Sequence, residues 1–504
     1  MDFRGKIKTN EELAGVLTKF KQDGKKIVHC HGVFDLLHRG HIHQFEQARE
    51  LGDVLVVSLT ADRYVAKGPG RPIFNQKVRA EMIASLELVD FVTIVDAPNA
   101  VEVIRLFRPD AYVKGASVMN NNKDFSGGLE SKTVESIGGK MHFTAEMPIH
   151  ATSLINTYVD PFPEEVLNFL NDLKKKYSVD RVLDAISGLN GLKVLVIGEA
   201  IVDQYDYIDL MDSSPKGGVI AGKHINTEYH AGGSLACANH IANFCSDVTL
   251  VSNLGTVNSY ESTIRNLLTP NINARFLMRN DIRTIVKRRE VERAYFKKHS
   301  ETYILDDKVL SKDEESELIG LIGDLSRYDL VFVTDYGHGF ITKNIIKYLT
   351  GSPAFLAVNT QANSANKGFH VITKYPRADY PCIDHYEARL ATRNKEKSFE
   401  FISEVLKRYL NASYISITLG NLGSMIRGNN EFYITPIFSK KIVDTVGAGD
   451  AYFSLTAPCI KMGLPLDMVG FIGNTAGALA TTYIGNKAFI DKKMLYNFIG
   501  SLLA

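Results

Sequence analysis

Cysteine is scarce in this chain and never paired. Its five residues, Cys30, Cys237, Cys245, Cys382 and Cys459, are scattered and odd in number, with no CxxC spacing, which excludes a disulfide framework and a zinc site. Excess charge of either sign is lacking: 58 Lys and Arg meet 57 Asp and Glu, a net charge of +1 over 504 residues. No global basic field therefore argues for nucleic acid or an anionic membrane as partner. No apolar run approaches the length needed to span a bilayer. The charged start from Asp2 to Lys8 lacks the apolar core of a signal peptide. These absences predict a reduced, cytoplasmic protein. There is no low-complexity tract, the composition is that of an ordinary globular chain (45% hydrophobic, 23% charged), and the length calls for more than one core.

From Lys25 to about Thr144, short apolar runs alternate with amphipathic segments. Ile27–Cys30, Val54–Leu59, Phe91–Val95, Ala111–Val113 and Met141–Phe143 are expected to be buried strands, with helices between them, which implies a parallel, doubly wound sheet. Asp160-Pro161-Phe162-Pro163 breaks the pattern, and a charge-rich helical stretch follows to about Ser187. A second α/β cycle begins at Leu192–Gly198, is about twice as large, and ends in some 60 mostly helical residues. The expected division is 1–160, a helical linker 161–190, and 191–504.

Two strand-to-helix junctions carry the chemistry. In the first, Gly32 permits a tight turn, and His38 and His41 sit at i and i+3 beside a helix start, with Gly40 leaving room for phosphate to approach backbone N–H groups. Two imidazoles there can donate to phosphate oxygens and stabilise charge as pyrophosphate leaves. A metal pair or two surface histidines would be the reading of an isolated HxxH. Here Phe34-Asp35 upstream, with Arg71-Pro72, Arg79 and Lys114-Gly115 downstream, favours the phosphate site. In the second, Gly447-Ala448-Gly449 presents backbone N–H groups without bulky side chains. Asp450 lies beside them, able to take the proton of a hydroxyl attacking a γ-phosphate. A plain helix cap is the bland alternative, and the flanking Asp444 and Asp450 argue against it.

Residues 25 to 158 resemble the HxGH-type nucleotidyltransferases, among them the adenylyltransferase domain of the bifunctional heptose-phosphate enzymes of lipopolysaccharide precursor synthesis. The stretches that carry the resemblance are Val33 to His41, Ala48 to Asp53, Lys67-Gly68 with Arg71-Pro72, and Arg108-Pro109-Asp110 through Lys114-Gly115. The resemblance implies nucleotide contacts from Gly32, Phe34, Asp35, Lys67, Arg79, Lys114, Gly115 and Thr152, with His38 and His41 catalytic. Ala116-Ser117-Val118 and His150-Ala151-Thr152 depart from the family pattern, which bears on base and sugar preference more than on reaction type.

Residues 191 to 504 resemble the ribokinase-type (PfkB) sugar kinases. The carriers are Val196 to Asp203, Ala231-Gly232-Gly233, Thr418-Leu419-Gly420 with Gly423, and Asp444 to Asp450. By resemblance, Asp450 is the base and Asp203, Gly232 and Gly233 bind the sugar. Thr418, Gly420, Gly423, Gly447, Ala448, Gly449 and Asn474 bind nucleotide, and Asp209 to Tyr229 forms a small β lid that often makes a dimer contact. The family's magnesium-organising Asn-x-x-Glu is replaced around Cys382-Ile383-Asp384-His385, leaving Asp384 and Glu387 as metal candidates through water. Ala236 and His338 are further departures.

The implied fold class is α/β: a Rossmann-like nucleotidyltransferase domain followed by a ribokinase-like α/β domain with a small β lid, in the reverse of the heptose enzymes' order. The implied function is bifunctional. One half phosphorylates a sugar or sugar phosphate with ATP. The other, with magnesium, transfers AMP or CMP from ATP or CTP to a sugar phosphate for surface glycan synthesis. A monofunctional nucleotidyltransferase with a regulatory kinase-like half is the alternative. The partners implied are small molecules and a second copy of the chain.

Overall fold

A computed structural model describes residues 3–65, 71–115, 125–144, 162–213, 217–428, 431–440 and 442–503, with the side chains of 125–127 excepted. The chain divides into two compact units, one ending at Phe162 and the other running from Pro163 to Leu503.

The first unit is built on five parallel strands: β1 (Ile27–Gly32), β2 (Val54–Thr60), β3 (Phe91–Val95), β4 (Ala111–Gly115) and β5 (Lys140–Thr144), in the order β3-β2-β1-β4-β5. All seven β2 residues, Val-Leu-Val-Val-Ser-Leu-Thr, are buried, as expected for an interior strand covered on both faces. Val28, Phe45, Leu55, Val57 and Val92 fill one side of the sheet, and Leu17, Val54, Val56, Phe107 and Tyr112 fill the other. The order reverses direction at β1, so the loop after β1 opens into the crevice at the sheet's carboxyl edge, where ligands bind in such folds.

In the second unit, nine strands form the main sheet in the order β10-β9-β6-β13-β14-β15-β16-β17-β18. In chain order these are β6 (Lys193–Gly198), β9 (Asp247–Val257), β10 (Ile272–Arg283), β13 (Leu330–Asp335), β14 (Phe355–Thr360), β15 (Tyr380–Asp384), β16 (Ile415–Thr418), β17 (Ser424–Arg427) and β18 (Phe432–Thr435). The sheet is parallel up to β16 and closes with an antiparallel β16-β17-β18 meander. A separate four-stranded sheet, β12-β11-β7-β8, combines β7 (Ala200–Ser213), β8 (Ile220–Gly233), β11 (Ile285–Glu292) and β12 (Lys298–Ile304). This lid is larger than the 209–229 insertion read from the sequence, because β7 begins two residues after β6 and the 285–304 hairpin pairs with it in parallel. Three helices, Ala448–Lys461, Leu466–Ala480 and Lys492–Leu502, end the unit. The charge-rich stretch after the Pro break forms helices Glu164–Lys176 and Val179–Gly188, which pack within the second unit. There Lys176 pairs with Asp467 at 2.9 Å, and Tyr177 donates to the same carboxylate at 2.9 Å. Among the described residues, no helix is long and apolar enough to cross a membrane.

β1 carries two buried histidines joined through one hydroxyl: His29 Nε2 and His31 Nδ1 lie 2.7 and 2.8 Å from Ser58 Oγ. Burial lowers both to a pKa of about 3, so they are neutral in the folded unit. Between that value and the unfolded histidine pKa of about 6.5, the unfolded chain binds more protons, so stability falls as pH falls through this window. Each histidine contributes a slope of about 1.4 kcal/mol per pH unit. Urea unfolding of the full chain at pH 7.5, 6 and 5 is expected to show the first unit's transition weakening steeply. The double variant H29Q/H31Q, whatever its stability at pH 7.5, is expected to lose much of that slope.

Candidate functional site

In the first unit, β1 delivers the chain to Phe34, whose φ of 51° turns the backbone back on itself. His38 caps the helix Arg39–Arg49, its Nδ1 accepting from Gly40 N at 3.1 Å. One turn on, the His41 ring stacks on His38 with centroids 3.9 Å apart, and Phe34 meets His41 edge-on at 5.2 Å. The pair is thus held together at a helix N-terminus, at the carboxyl end of β1. A Cβ on Gly32 would lie 2.9 Å from the Phe34 ring, so the turn requires glycine there.

Asp35 and Arg79 are placed differently from the nucleotide contacts that the resemblance implied. Asp35 is 2% exposed and accepts from Ile73 N (2.7 Å) and Phe74 N (3.1 Å), with Arg71 Nη1 at 3.3 Å. Arg79 is fully buried. Its guanidinium donates to Phe74 O (2.9 Å), Thr60 O (2.9 Å), Asp62 Oδ1 (2.6 Å) and Val33 O. With four protein acceptors around it, Arg79 tethers the loops after β1 and β2 instead of reaching for a ligand. Lys114, on β4, pairs with the buried Glu130 at 2.6 Å, and Glu130 also accepts from Ala100 N at 2.9 Å. Gly115 ends β4 opposite Thr144. Lys67 and Thr152 lie outside the described residues.

In the second unit, the helix Ala448–Lys461 starts behind Gly447, whose φ is 85° and whose Cβ would fall 2.3 Å from Asn486 Oδ1. Ala448, Gly449 and Asp450 lie in the first turn. Tyr336 Oη donates to Asp450 Oδ1 at 3.3 Å. Burial raises the Asp450 pKa to about 6; nearby Lys287 opposes the rise and Asp203 adds to it. Asp203, 4% exposed, accepts from Arg289 Nη1 at 2.6 Å and Asn486 Nδ2 at 3.2 Å. A Cβ on Gly232 would lie 2.4 Å from Asp203 Oδ2, and Gly233 takes φ 60° against Glu199 O, so both glycines are required by close approach. Asp444 is held by Lys298 at 2.7 Å and by Gly485 N at 2.9 Å.

The nucleotide-side candidates lie on neighbouring strands. Thr418 ends β16, and Gly420 (φ 61°) and Gly423 (φ 94°) shape the turn into β17. Asn474 donates to Ser424 Oγ at 2.6 Å and Gly470 O at 3.0 Å, which fixes helix Leu466–Ala480 against β17. Asp384 caps helix His385–Thr392 in a reciprocal capping box with Glu387. Both Glu387 oxygens accept backbone N–H groups, from Asp384 (2.9 Å) and Ala362 (2.7 Å). Burial and the adjacent Asp384 raise the Glu387 pKa to about 8.

Four residues around Asp203 and Asp450 were given no role in the sequence reading: Lys287, Arg289, Glu199 and Tyr336. Lys287 and Arg289 did leave a signal, because two cations at i and i+2 of a strand point to one face.

Residues 192–493 match the pfkB family carbohydrate kinases, and residues 29–157 match the cytidylyltransferase-like family. The chain belongs to the pfkB family of carbohydrate kinases. Among curated relatives, it is 43% identical over 155 residues to the bifunctional protein HldE of Campylobacter jejuni RM1221, a match covering 28% of this chain and 33% of that one. HldE of Desulfatibacillum aliphaticivorans is 39% identical over 141 residues, 28% of each chain. These matches span a third or less of the relatives' length. The pfkB fold is also that of Escherichia coli phosphofructokinase-2, solved with potassium: TM-score 0.52 and 12% identity, over 62% of this chain and 100% of that one.

Arg79→Ala would strand the carbonyls of Val33, Phe74 and Thr60 beside an empty buried volume. Losing one partner of a buried charged network costs about 3–5 kcal/mol. Urea denaturation should show that loss in the first unit and leave the second unit's transition in place.

Proposed function

We propose that this pfkB-family chain is a bifunctional transferase, with a nucleotidyltransferase domain at 1–160, a helical segment at 161–190 and a sugar kinase domain at 191–504. The kinase half phosphorylates a sugar or sugar phosphate with ATP, and the first half transfers AMP or CMP from ATP or CTP to a sugar phosphate, supplying surface glycan synthesis. The order is the reverse of that in the heptose-phosphate enzymes, and the cytoplasm is the compartment where both nucleotides are available. The observation that carries the kinase reading is Asp450 in the first turn of a glycine-started helix, with Asp203 and two buried cations of the lid beside it.

In this reading Asp450 accepts the proton of the attacking hydroxyl, Asp203 with Gly232 and Gly233 orients the sugar, and the first turn at Gly447, Ala448 and Gly449 receives the developing phosphate charge. Thr418, Gly420, Gly423 and Asn474 shape the nucleotide side. Magnesium, held near Asp384 and Glu387, would supply positive charge against the nucleotide phosphates. The donors near Asp384 and Glu387 are hard oxygens, which suits that ion. Because backbone N–H groups already occupy both Glu387 oxygens, Asp384 is the residue that would hold the ion through water, with Glu387 keeping Asp384 in place. A homodimer formed through the lid, whose tip exposes Met211, Val219 and Ile220, belongs to the same reading.

In the first half, His38 and His41 donate to the phosphates. Glu130 holds Lys114 in the low-dielectric end of β4, close to where charge is to be neutralised. Asp35 and Arg79 shape the loops around the nucleotide.

Each half has its own phosphate-binding junction, so the two activities should separate. Asp450→Asn is expected to abolish ATP-dependent phosphorylation while pyrophosphate release continues. Assaying ADP and pyrophosphate separately checks this, and equal loss of both in a folded variant would refute independent sites.

His41→Ala tests the histidine pair. Removing one such donor costs on the order of 10²–10³ in turnover. Steady-state kinetics are expected to show that loss with little change in nucleotide affinity. Full turnover with weaker nucleotide binding would instead mean a binding role alone.

A further inference from the structure

One tyrosine ties the base to the rest of the kinase fold. Tyr336 stands just past the end of β13 and is 2% exposed. Its backbone is fastened at both ends. The amide donates to Glu199 Oε2 at 3.0 Å, and the carbonyl accepts from Asn363 Nδ2 at 2.9 Å and Asn366 Nδ2 at 2.7 Å. Glu199 also accepts from His338 N at 3.0 Å, so one buried carboxylate grips both sides of the turn. The ring packs with Ile201 of β7 and Ile285 of β11, the roots of two lid strands, and Lys287 Nζ lies 5.6 Å from its centroid. Among the described residues, Tyr336 Oη makes the one hydrogen bond to the Asp450 carboxylate, and it addresses a single oxygen, Oδ1.

We infer that Tyr336 is a positioning residue of the kinase site: its hydroxyl holds one oxygen of Asp450, keeps the carboxylate ionised, and turns the other oxygen toward the substrate hydroxyl. The inference rests on the reading of Asp450 as the base. The fastened backbone and packed ring leave Tyr336 little freedom to follow a rotating carboxylate, so the hydrogen bond fixes the carboxylate's orientation. The other groups that act electrostatically with Asp450 are Lys287 of β11, Asp203 of β7, Cys237 of helix Ser234–Ala242, Cys382 of β15 and Glu387 of helix His385–Thr392. Of these, Lys287 alone favours the ionised form, and Asp203 and Glu387 oppose it. The Tyr336 hydroxyl is therefore the second stabilising contact, and the one with a defined direction.

The sign follows. A hydroxyl donating to a carboxylate stabilises the charged form and lowers its pKa, so removing it raises the pKa. Tyr336→Phe keeps the ring and its packing. A hydrogen bond to a charged group, when lost, shifts such a titration by roughly one pH unit. In the full chain, the acidic limb of kcat/KM for phosphorylation is expected to move up by about that amount, with a far larger loss at pH 6 than at pH 8.5 and KM for ATP unchanged. A uniform loss at every pH would mean a structural role only and would overturn the inference.

A second measurement does not depend on activity. With 13Cγ-labelled aspartate, the resonance missing from Asp450→Asn identifies this carboxyl, and its titration is compared in wild type and Tyr336→Phe. An upward shift in the variant supports the inference even if no sugar is phosphorylated, an outcome that would instead defeat the kinase reading. Superimposable titrations overturn the inference whether or not the enzyme turns over.

Discussion

Two carboxylates buried near one another cannot both remain ionised without compensating positive charge, and the second unit is organised around that constraint. Asp203 and Asp450 act on each other where the lid meets the main sheet, and burial already penalises Asp450. β11 supplies the remedy, with Lys287 and Arg289 two residues apart on one face. Arg289 binds Asp203 at 2.6 Å and Glu301 at 2.7 Å, and its own charge is reinforced by Asp203 and Tyr205. Lys287, buried and shifted below the usual lysine pKa by desolvation, stands closer to neutrality than a surface lysine. Moving the lid strands would therefore change the electrostatics around Asp450.

The four-stranded lid is a sheet of its own, and it joins the main sheet by a short connection where that coupling acts. β7 leaves β6 across Glu199, a buried acid whose pKa burial and Asp335 raise to about 7. Glu199 fastens the turn that carries Tyr336. Asp335 is itself held by Lys374 at 2.5 Å, Tyr375 at 2.7 Å and His370 at 3.3 Å. A chain of buried, partnered acids thus runs from the end of β6 through β13 to the first turn of helix Ala448–Lys461. Such networks are costly when one member is removed and rigid when complete.

The first unit solves a simpler problem. Its buried charges serve the loops: Asp35 gathers the 71–74 segment, Arg79 links three carbonyls and Asp62, and Glu130 holds Lys114. Buried arginine suits this task, since its planar fork offers five donors that neighbouring carbonyls can accept together. A basic residue downstream of an HxGH motif is readily taken for a phosphate ligand. Arg79 shows the other use, in which the cation orders backbone that shapes the site.

The sequence by itself determined the two α/β units, the strands that build their sheets, and the junctions at Gly32–His41 and Gly447–Asp450. The reason is local: alternating apolar runs, glycines where φ is positive or Cβ has no room, and polar groups at helix starts all act over a few residues. Only the tertiary structure decided which charges meet. The pairing of Arg289 with Asp203 joins residues 86 apart, that of Asn486 with Asp203 joins residues 283 apart, and the Tyr336 bond to Asp450 spans 114. The full extent of the lid, and the commitment of Arg79 to backbone, were set in the same way. Long-range contacts of this kind depend on sheet order and on which groups burial forces to find partners, and neither leaves a mark at short spacing in the chain.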